Sequence, residues 1–97
     1  IESANVSVKA RQTVRGTIEV EIINPAGGPV AFFNRVSLVN QKTKERILPV
    51  FYSDNYLSVL PGESKVVKID YDPAVVNAKA VVAIAGWNVE KKYVNIK

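Results

Sequence analysis

The sequence predicts an all-β fold of about seven short strands, and three observations lead to this prediction. Apolar and polar residues alternate with a period of two in several separate segments, which is the pattern of strands with one buried face. Turn-forming residues separate these segments. The apolar residues are rich in Val and Ile, whose branched side chains suit pleated sheets, and no segment shows a helical period. Together these features favour a β-sandwich.

The first two strands are predicted from alternation alone. A short strand covers residues 6–9, and the clearest strand covers residues 17–22, where Ile and Val alternate with Thr and Glu. The segment 24–29 contains two prolines and two glycines, so a sheet ladder cannot continue through it.

The third strand is predicted over residues 31–39 and carries an unusual polar residue. Phe32, Val36 and Leu38 share one face by their spacing, and Asn34 falls on the same face. Asn34 is therefore either a buried polar group that needs hydrogen-bond partners or the sign of a β-bulge that shifts the register.

The second half of the chain alternates again, with an aromatic loop in the middle. Pro49 cannot donate to a ladder, which favours an edge position for its segment. After the loop, a short apolar strand ends at Pro61-Gly62, a pair suited to a type II turn. The other predicted segments are a short edge at residues 47–51, a strand at 64–71, a small-residue strand covered on both faces at 80–85, and a last strand at 92–96.

Length and strand number predict one immunoglobulin-like or fibronectin III-like sandwich over residues 1–97. Cysteine is absent, so stability must come from packing and not from disulfides. The chain begins at Ile1 without a methionine, and we expect it to be a fragment of a larger protein.

The charge pattern argues against two classes of partner. The net charge is +4, but the basic residues are dispersed and interleaved with acidic ones, so no nucleic-acid partner is expected. No apolar run approaches the roughly 20 residues that cross a bilayer, so no membrane partner is expected either.

The residue inventory offers little catalytic chemistry. His and Cys are absent, which removes the usual general base, the thiolate nucleophile and the common zinc ligands. Glu19 and Glu21 lie about 7 Å apart by strand rise, a separation compatible with glycoside hydrolysis. They fall on the solvent face of a flat strand with no pocket, and we therefore expect no catalytic residue.

The sequence also raises the hypothesis of a site for a hard cation such as calcium. Asp54 and Asn55 supply oxygen ligands, to which Asp70 or Asp72 could add. Asp and Asn in tight loops more commonly bond their own backbone amides, and calcium sites usually gather more oxygens. We expect no metal and no cofactor.

Three aromatic residues, Tyr52, Tyr56 and Trp87, are candidates for a platform on which a sugar ring stacks. The alternative is packing in the core or at an interface, since Tyr and Trp combine a large apolar area with a polar tip. Packing is the favoured interpretation.

Several segments carry a resemblance to a known family. They are Pro29-Val30-Ala31-Phe32-Phe33, Val36-Ser37-Leu38-Val39, Ile47-Leu48-Pro49-Val50-Phe51-Tyr52, Ser53-Asp54-Asn55-Tyr56, Leu60-Pro61-Gly62-Glu63-Ser64 and Gly86-Trp87-Asn88. In this order and spacing, over about two-thirds of the chain, they resemble the C-terminal immunoglobulin-like domain of family 2 glycoside hydrolases, in the exo-β-D-glucosaminidase and β-mannosidase branch. Asn34 departs from the apolar residue that such domains usually carry there.

The resemblance implies a non-catalytic domain, because both catalytic carboxylates of such enzymes belong to a (β/α)₈ barrel. It implies the other domains, the barrel above all, as partners, and a periplasmic or secreted location. Two alternatives stay open: an independent module that binds carbohydrate through surface aromatics, and an adhesion-type sandwich that binds proteins. The residues expected to contact another domain or a sugar are Tyr52, Ser53, Asp54, Asn55, Tyr56 and Trp87.

Overall fold

The computed structural model describes residues 2–47, 50–74 and 79–97. The all-β prediction is confirmed, with eight strands in the described residues where about seven were predicted. No helix in this part of the chain is long and apolar enough to cross a membrane. In chain order the strands are β1 (Ser7–Val14), β2 (Thr17–Ile23), β3 (Ala31–Asn40), β4 (Val50–Tyr52), β5 (Leu57–Val59), β6 (Ser64–Tyr71), β7 (Ala80–Gly86) and β8 (Val89–Asn95).

The strands form two four-stranded sheets, in the orders β1-β2-β6-β4 and β5-β3-β7-β8. Neighbouring strands within each sheet are antiparallel. A parallel bridge between Ala10 and Ile96 joins β1 to the end of β8, and the amide of Gln12 donates to the carbonyl of Lys97 at 2.9 Å. These contacts close one side of the sandwich between the two sheets.

The core lies between the sheets and follows the period-two pattern of the sequence. Alternate residues of each strand point inward, so apolar side chains from both sheets meet there. The fully buried aliphatic residues are Val20, Ile22, Val67 and Ile69 from one sheet and Val36, Leu38, Val59, Val82 and Ile84 from the other.

Strand β7 is covered on both faces, as its small-residue sequence predicted. Val82 and Ile84 face the core, whereas Val81 and Ala83 form a second buried cluster with Val39 on the outer face of the sheet. This outer cluster forms part of the floor of a groove considered below.

Both interpretations of Asn34 are correct. Asn34 is fully buried, and its Nδ2 donates to the carbonyls of Ala31 and Leu57, each at 3.0 Å. Between the paired residues Ala31 and Asn34, β3 advances by three residues while β5 advances by two. The extra residue in β3 forms a β-bulge, and Phe33 within it has a φ of 52°. The bulge corrects one detail: Phe32 does not share the core face with Val36, because the extra residue turns it outward.

Two strands are longer than predicted. Strand β1 runs to Val14 because the polar residues after Ala10 pair with β2 while staying exposed, and they therefore show no alternation. Strand β8 begins at Val89, since β7 and β8 form a hairpin whose turn contains only Trp87 and Asn88.

Candidate interaction surface

The Pro61-Gly62 turn is built as the sequence predicts. Gly62 has a φ of 77°, and the amide of Glu63 donates to the carbonyl of Leu60 at 3.0 Å, which closes the four-residue turn. A positive φ at the third position is what a type II turn requires, and glycine adopts it without strain. The turn fixes β5 beside the aromatic loop that precedes it.

The aromatic loop, residues 53–56, is held against β3 by Asn55. The Oδ1 of Asn55 accepts a hydrogen bond from the amide of Val36 at 2.9 Å, and its Nδ2 donates to the carbonyl of Val36 at 3.2 Å. This side chain therefore satisfies both backbone groups of one β3 residue, as a neighbouring strand would.

Tyr52 and Ser53 extend this attachment to both sheets. The hydroxyl of Tyr52 accepts from the amide of Leu38 on β3 at 3.0 Å, and the Oγ of Ser53 accepts from the amide of Lys68 on β6 at 2.8 Å. Strand β5 pairs with β3 only as far as Asn34. Beyond that point, side chains from β4 and the loop bond to the amides of Val36 and Leu38, and residues 45–47 pair with the end of β3 through their backbone.

Replacing Tyr52 with phenylalanine is expected to reduce the free energy of unfolding by about 1–2 kcal/mol. The amide of Leu38 would keep its burial and lose its acceptor, and an unpaired buried donor costs about that much. Urea denaturation of the 97-residue chain measures the change. Tyr56→Phe is the matched control, because the Tyr56 side chain is exposed; an equal effect of both variants would contradict the assigned bond.

Asp54 and Tyr56 face away from these attachments. The Oδ1 of Asp54 accepts from the neighbouring amide of Asn55 at 2.8 Å, a local bond that shapes the loop. Tyr56 is 61% exposed with a φ of 56°, and the guanidinium carbon of Arg35 lies 5.7 Å from its ring centroid. That contact is within the range of a cation–π interaction.

Trp87 contacts two aromatic residues, Phe32 and Phe33, on the β5-β3-β7-β8 sheet. It is 66% exposed, and its ring centroid is 5.8 Å from that of Phe32 and 6.2 Å from that of Phe33, which is itself 54% exposed. The amide of Trp87 donates to the carbonyl of Phe32 at 2.9 Å, which fixes the turn against the β3 bulge.

The bulge brings these two contacts to one end of the β5-β3-β7-β8 sheet. Phe33 and Arg35 are two residues apart on β3, and the amide of Phe33 donates to the Oγ of Ser58 at 3.2 Å, close to Tyr56. We call this region the aromatic end. It consists of Phe32, Phe33, Arg35, Tyr56 and Trp87.

The aromatic end contains only two of the six residues named from the sequence, Tyr56 and Trp87. The side chains of Tyr52, Ser53 and Asn55 bond to the backbone of the two sheets, and a contact role for them stays a prediction. Sequence reasoning did not name Phe33 and Arg35, although alternation with Asn34 and Val36 places both on the outer face, and it placed Phe32 on the core face, from which the bulge removes it. The signal was present in the adjacent Phe32-Phe33 pair, since simple alternation would have buried one ring and exposed the other.

The acidic residues are dispersed through the described chain. The expectation of a flat face without a pocket at Glu19 and Glu21 is wrong, since both line a shallow depression of about 290 Å³ on the outer sheet face. Lys9 and Arg11 line it too, and Arg11 lies 4.0 Å from Glu19.

Of the remaining candidate cation ligands, Asp70 makes a cross-strand bond to β2 and Asp72 makes a local one. Asp70 accepts from the hydroxyl of Thr17 at 2.9 Å, and Asp72 accepts from the amide of Ala74 at 2.9 Å. Within residues 2–47, 50–74 and 79–97, no three acidic, His or Cys side chains gather into a group that would hold a metal.

The fold and this surface define an immunoglobulin-like sandwich. The model of the exo-beta-D-glucosaminidase Ig-fold domain matches residues 1–89, and the chain belongs to that family. The resemblance noted from the sequence is therefore confirmed.

Known relatives support this membership over nearly the whole chain. Exo-beta-D-glucosaminidase of Streptomyces avermitilis is 35% identical over 94 residues, covering 95% of this chain and 10% of the relative. Mannosylglycoprotein endo-beta-mannosidase of Lilium longiflorum is 34% identical over 90 residues, covering 84% of this chain and 9% of the relative. The crystal structure of the exo-chitosanase CsxA of Amycolatopsis orientalis superposes with a TM-score of 0.78 and 28% identity, covering 96% of this chain and 11% of that one. This chain thus spans about a tenth of the length of these proteins.

Proposed function

We propose that residues 1–97 form one non-catalytic accessory domain of a family 2 glycoside hydrolase of the exo-β-glucosaminidase or β-mannosidase kind. In this proposal the aromatic end packs against the rest of the enzyme and positions the catalytic barrel. The observation that carries it is the exposure of Phe33, Tyr56 and Trp87, each more than half accessible, on one end of a rigid sheet. The family membership and the small share of each relative's length support a partner within the same polypeptide.

The size of the exposed area is suited to docking. An aromatic side chain of this kind buries 150–250 Å², so three rings that are about 60% exposed offer on the order of 300–400 Å². At ~25 cal/mol per Å², burying this area would contribute roughly 8–10 kcal/mol before the entropy of association is subtracted. A covalent tether reduces that entropic cost, because the partner is held at a high effective concentration.

The supporting backbone is rigid, which suits positioning. The side chain of Asn88 and the amide of Trp87 bond the hairpin turn to the start of β3, and Asn55 holds the loop before Tyr56. Rings on such a scaffold lose little further freedom on docking, so more of the burial energy remains.

The test compares one double variant in two contexts. Phe33→Ala/Trp87→Ala should lower the stability of the parent enzyme by about 2–4 kcal/mol, the usual effect of removing interface anchors. In the isolated 97-residue chain the same variant should change stability by only about 0.5 kcal/mol, because both rings are exposed there. Differential scanning calorimetry of both proteins measures the two values.

Phe51→Ala is the matched control, since Phe51 is 75% exposed but lies on β4 in the other sheet. Equal effects of the double variant in both contexts would refute docking through the aromatic end. Titration of the isolated chain with chito- and manno-oligosaccharides tests the alternative of an independent carbohydrate-binding module. Binding at millimolar sugar that is lost in the double variant would replace the docking proposal.

A further inference from the structure

The outer face of β3 and β7 carries a groove lined by positive charge. The groove has a volume of about 340 Å³, and its cationic side chains come from Arg35, Lys44, Arg46 and Lys91. Among the described residues, none that lines it is acidic. We call it the basic groove; it holds four of the 13 Lys and Arg residues of the chain on one face, where the sequence showed only dispersed charges.

The strand register places Arg35 and Arg46 toward the two ends of a narrow floor, whereas the ammonium groups of Lys44 and Lys91 both lie near Tyr93, the strand partner of Ala83. Arg35 pairs with Ala85 at one end, next to Lys91 from β8. Four residues further along β3, Val39 pairs with Arg46. At ~3.3 Å per residue, the two ends lie about 13 Å apart.

The floor between the two ends consists of small side chains. Ser37 pairs with Ala83 at its centre, and both are buried although they point away from the core. The aliphatic stems of long basic side chains can cover such a surface while their charged heads stay in water. The result is a shallow channel that runs along the strands with charge at its margins.

The cations of the groove have few carboxylate neighbours in the described residues. The ion pairs found there join Arg11 to Glu19 and Lys65 to Glu63, and neither involves the groove. Lys44 and Lys91 instead lie 4.9 Å and 5.8 Å from the ring centroid of Tyr93. Positive charge is therefore concentrated in the groove, and a negatively charged ligand would complement it.

The shape of the basic groove limits the kind of negatively charged ligand that would fit it. A single phosphate or sulfate offers one centre of charge, whereas a polyanion can engage cations along the whole floor, and the backbone amides of the floor are committed to the β3–β7 ladder. Tyr93, the ring beside the groove, is already in contact with two cations, so a nucleic-acid base or a sugar would compete with them for stacking. Several carboxylates on one extended chain satisfy these conditions.

We propose that the basic groove binds an extended, carboxylate-rich polypeptide segment. In an extended chain, alternate side chains point to the same side at intervals of about 7 Å, and residues four apart are about 13 Å apart. A segment with Asp or Glu at alternate positions, lying parallel to β3, would present carboxylates to both ends of the groove. This partner chemistry goes beyond the proposed docking of the aromatic end and does not depend on it.

The probe is a fluorescein-labelled peptide of four Glu-Ser repeats, mixed with the 97-residue chain at low salt. We expect a saturable rise in fluorescence anisotropy that is strongly reduced at ~0.5 M NaCl, where exposed charges are screened. The matched Gln-Ser peptide should not bind. Backbone amide resonances of Ser37, Ala83 and Ala85 should shift during the titration.

Two double variants separate the groove from net charge. Arg46→Gln/Lys91→Gln should weaken binding about tenfold, since each exposed ion pair contributes up to about a factor of five. Lys9→Gln/Lys68→Gln removes the same charge from exposed positions elsewhere and should change binding less than twofold. Arg35 is left intact because it also belongs to the aromatic end.

Three results would overturn the proposal. They are equal weakening by both double variants, an absence of binding at millimolar peptide, and equal or tighter binding of an oligogalacturonate or an oligonucleotide of the same charge. These variants do not change any residue of the aromatic end. If the peptide does not bind the basic groove, the calorimetric test of docking through the aromatic end is therefore unaffected.

Discussion

Replacing Asn88 with alanine is expected to lower the free energy of unfolding by about 3 kcal/mol. The Nδ2 of this side chain donates to the carbonyls of Val30 at 2.7 Å and Glu2 at 3.0 Å, while its Oδ1 accepts from the amide of Phe32 at 2.8 Å. The side chain is almost fully buried. Alanine would leave these three backbone groups without their partner, and each lost bond costs about 1 kcal/mol.

Thermal and urea denaturation of the 97-residue chain measure this effect. A loss of 3 kcal/mol corresponds to a fall in Tm of roughly 12–24 °C for a domain of this size. Asn95→Ala is the control, because Asn95 is exposed on β8 and its backbone pairing with Val81 does not need the side chain. If the two variants were equally stable, Asn88 would not have the structural role assigned to it.

Asn88 is one of four asparagines that replace ladder partners in irregular parts of the fold. Asn24 donates to the carbonyls of Pro29 and Val59, Asn34 bridges the β3 bulge, and Asn55 satisfies both backbone groups of Val36. Asn55 and Asn88 use both the donor and the acceptor of the side-chain amide, as a peptide group would, whereas Asn24 and Asn34 use only the donor and their buried Oδ1 atoms have no partner in the described residues. These residues hold the loops that carry the aromatic end.

The regular strands could be predicted because their information is local. In β2 and β6 the buried residues repeat every second position, and in β7 they form a continuous run of small apolar residues. The observed bounds of all three follow the predicted ones within one or two residues. The turn at Gly62 was equally local, since its conformation depends on two adjacent residues. Only the first part of β1 was predicted, because the residues at its exposed end do not alternate between apolar and polar.

The aromatic end could not be predicted in full because it depends on distant contacts. The side chain of Asn88 bonds to residues 56 to 86 positions away, and no local pattern indicates such partners. The outward position of Phe32 beside Phe33 and Trp87 requires the bulge between Ala31 and Asn34, where Asn34 bonds to the carbonyl of Leu57 on β5. Trp87 and Tyr56 were named as candidate contact residues because one follows a glycine at a strand end and the other lies in a polar loop, and both features are local in the sequence.

The clustering of positive charge in the basic groove could not be predicted from the sequence either. Arg35, Lys44, Arg46 and Lys91 are spread over 57 positions of the sequence, counting both ends. The pairing of β3 with β7, of β7 with β8, and of Val39 with Arg46 places them on one surface. A count of charges along the chain therefore underestimates local charge whenever strands distant in sequence are neighbours in a sheet.

Replacing Gly86 with alanine is expected to destabilise the chain by about 3 kcal/mol, although the change adds one methyl group. A Cβ at this position would lie 2.7 Å from the carbonyl oxygen of Phe32, 2.9 Å from the Oδ1 of Asn34 and 3.2 Å from the Cβ of Val89. The nearest atom belongs to the backbone of the bulge, and Asn34 is buried, so neither can move away without loss of packing. The same carbonyl accepts the hydrogen bond from Trp87, and a shift would weaken it.

Gly28→Ala separates this steric effect from the general effect of removing a glycine. A Cβ on Gly28 would meet only the carbonyl oxygen of Pro25, at 3.9 Å, and we expect a change within about 0.5 kcal/mol. Denaturation curves of both variants give the comparison, and amide hydrogen exchange at Trp87 reports whether its bond to Phe32 is weakened. A stable Gly86→Ala variant with unchanged exchange at Trp87 would show that the bulge can relax, and the rigid support inferred for the aromatic end would then be wrong.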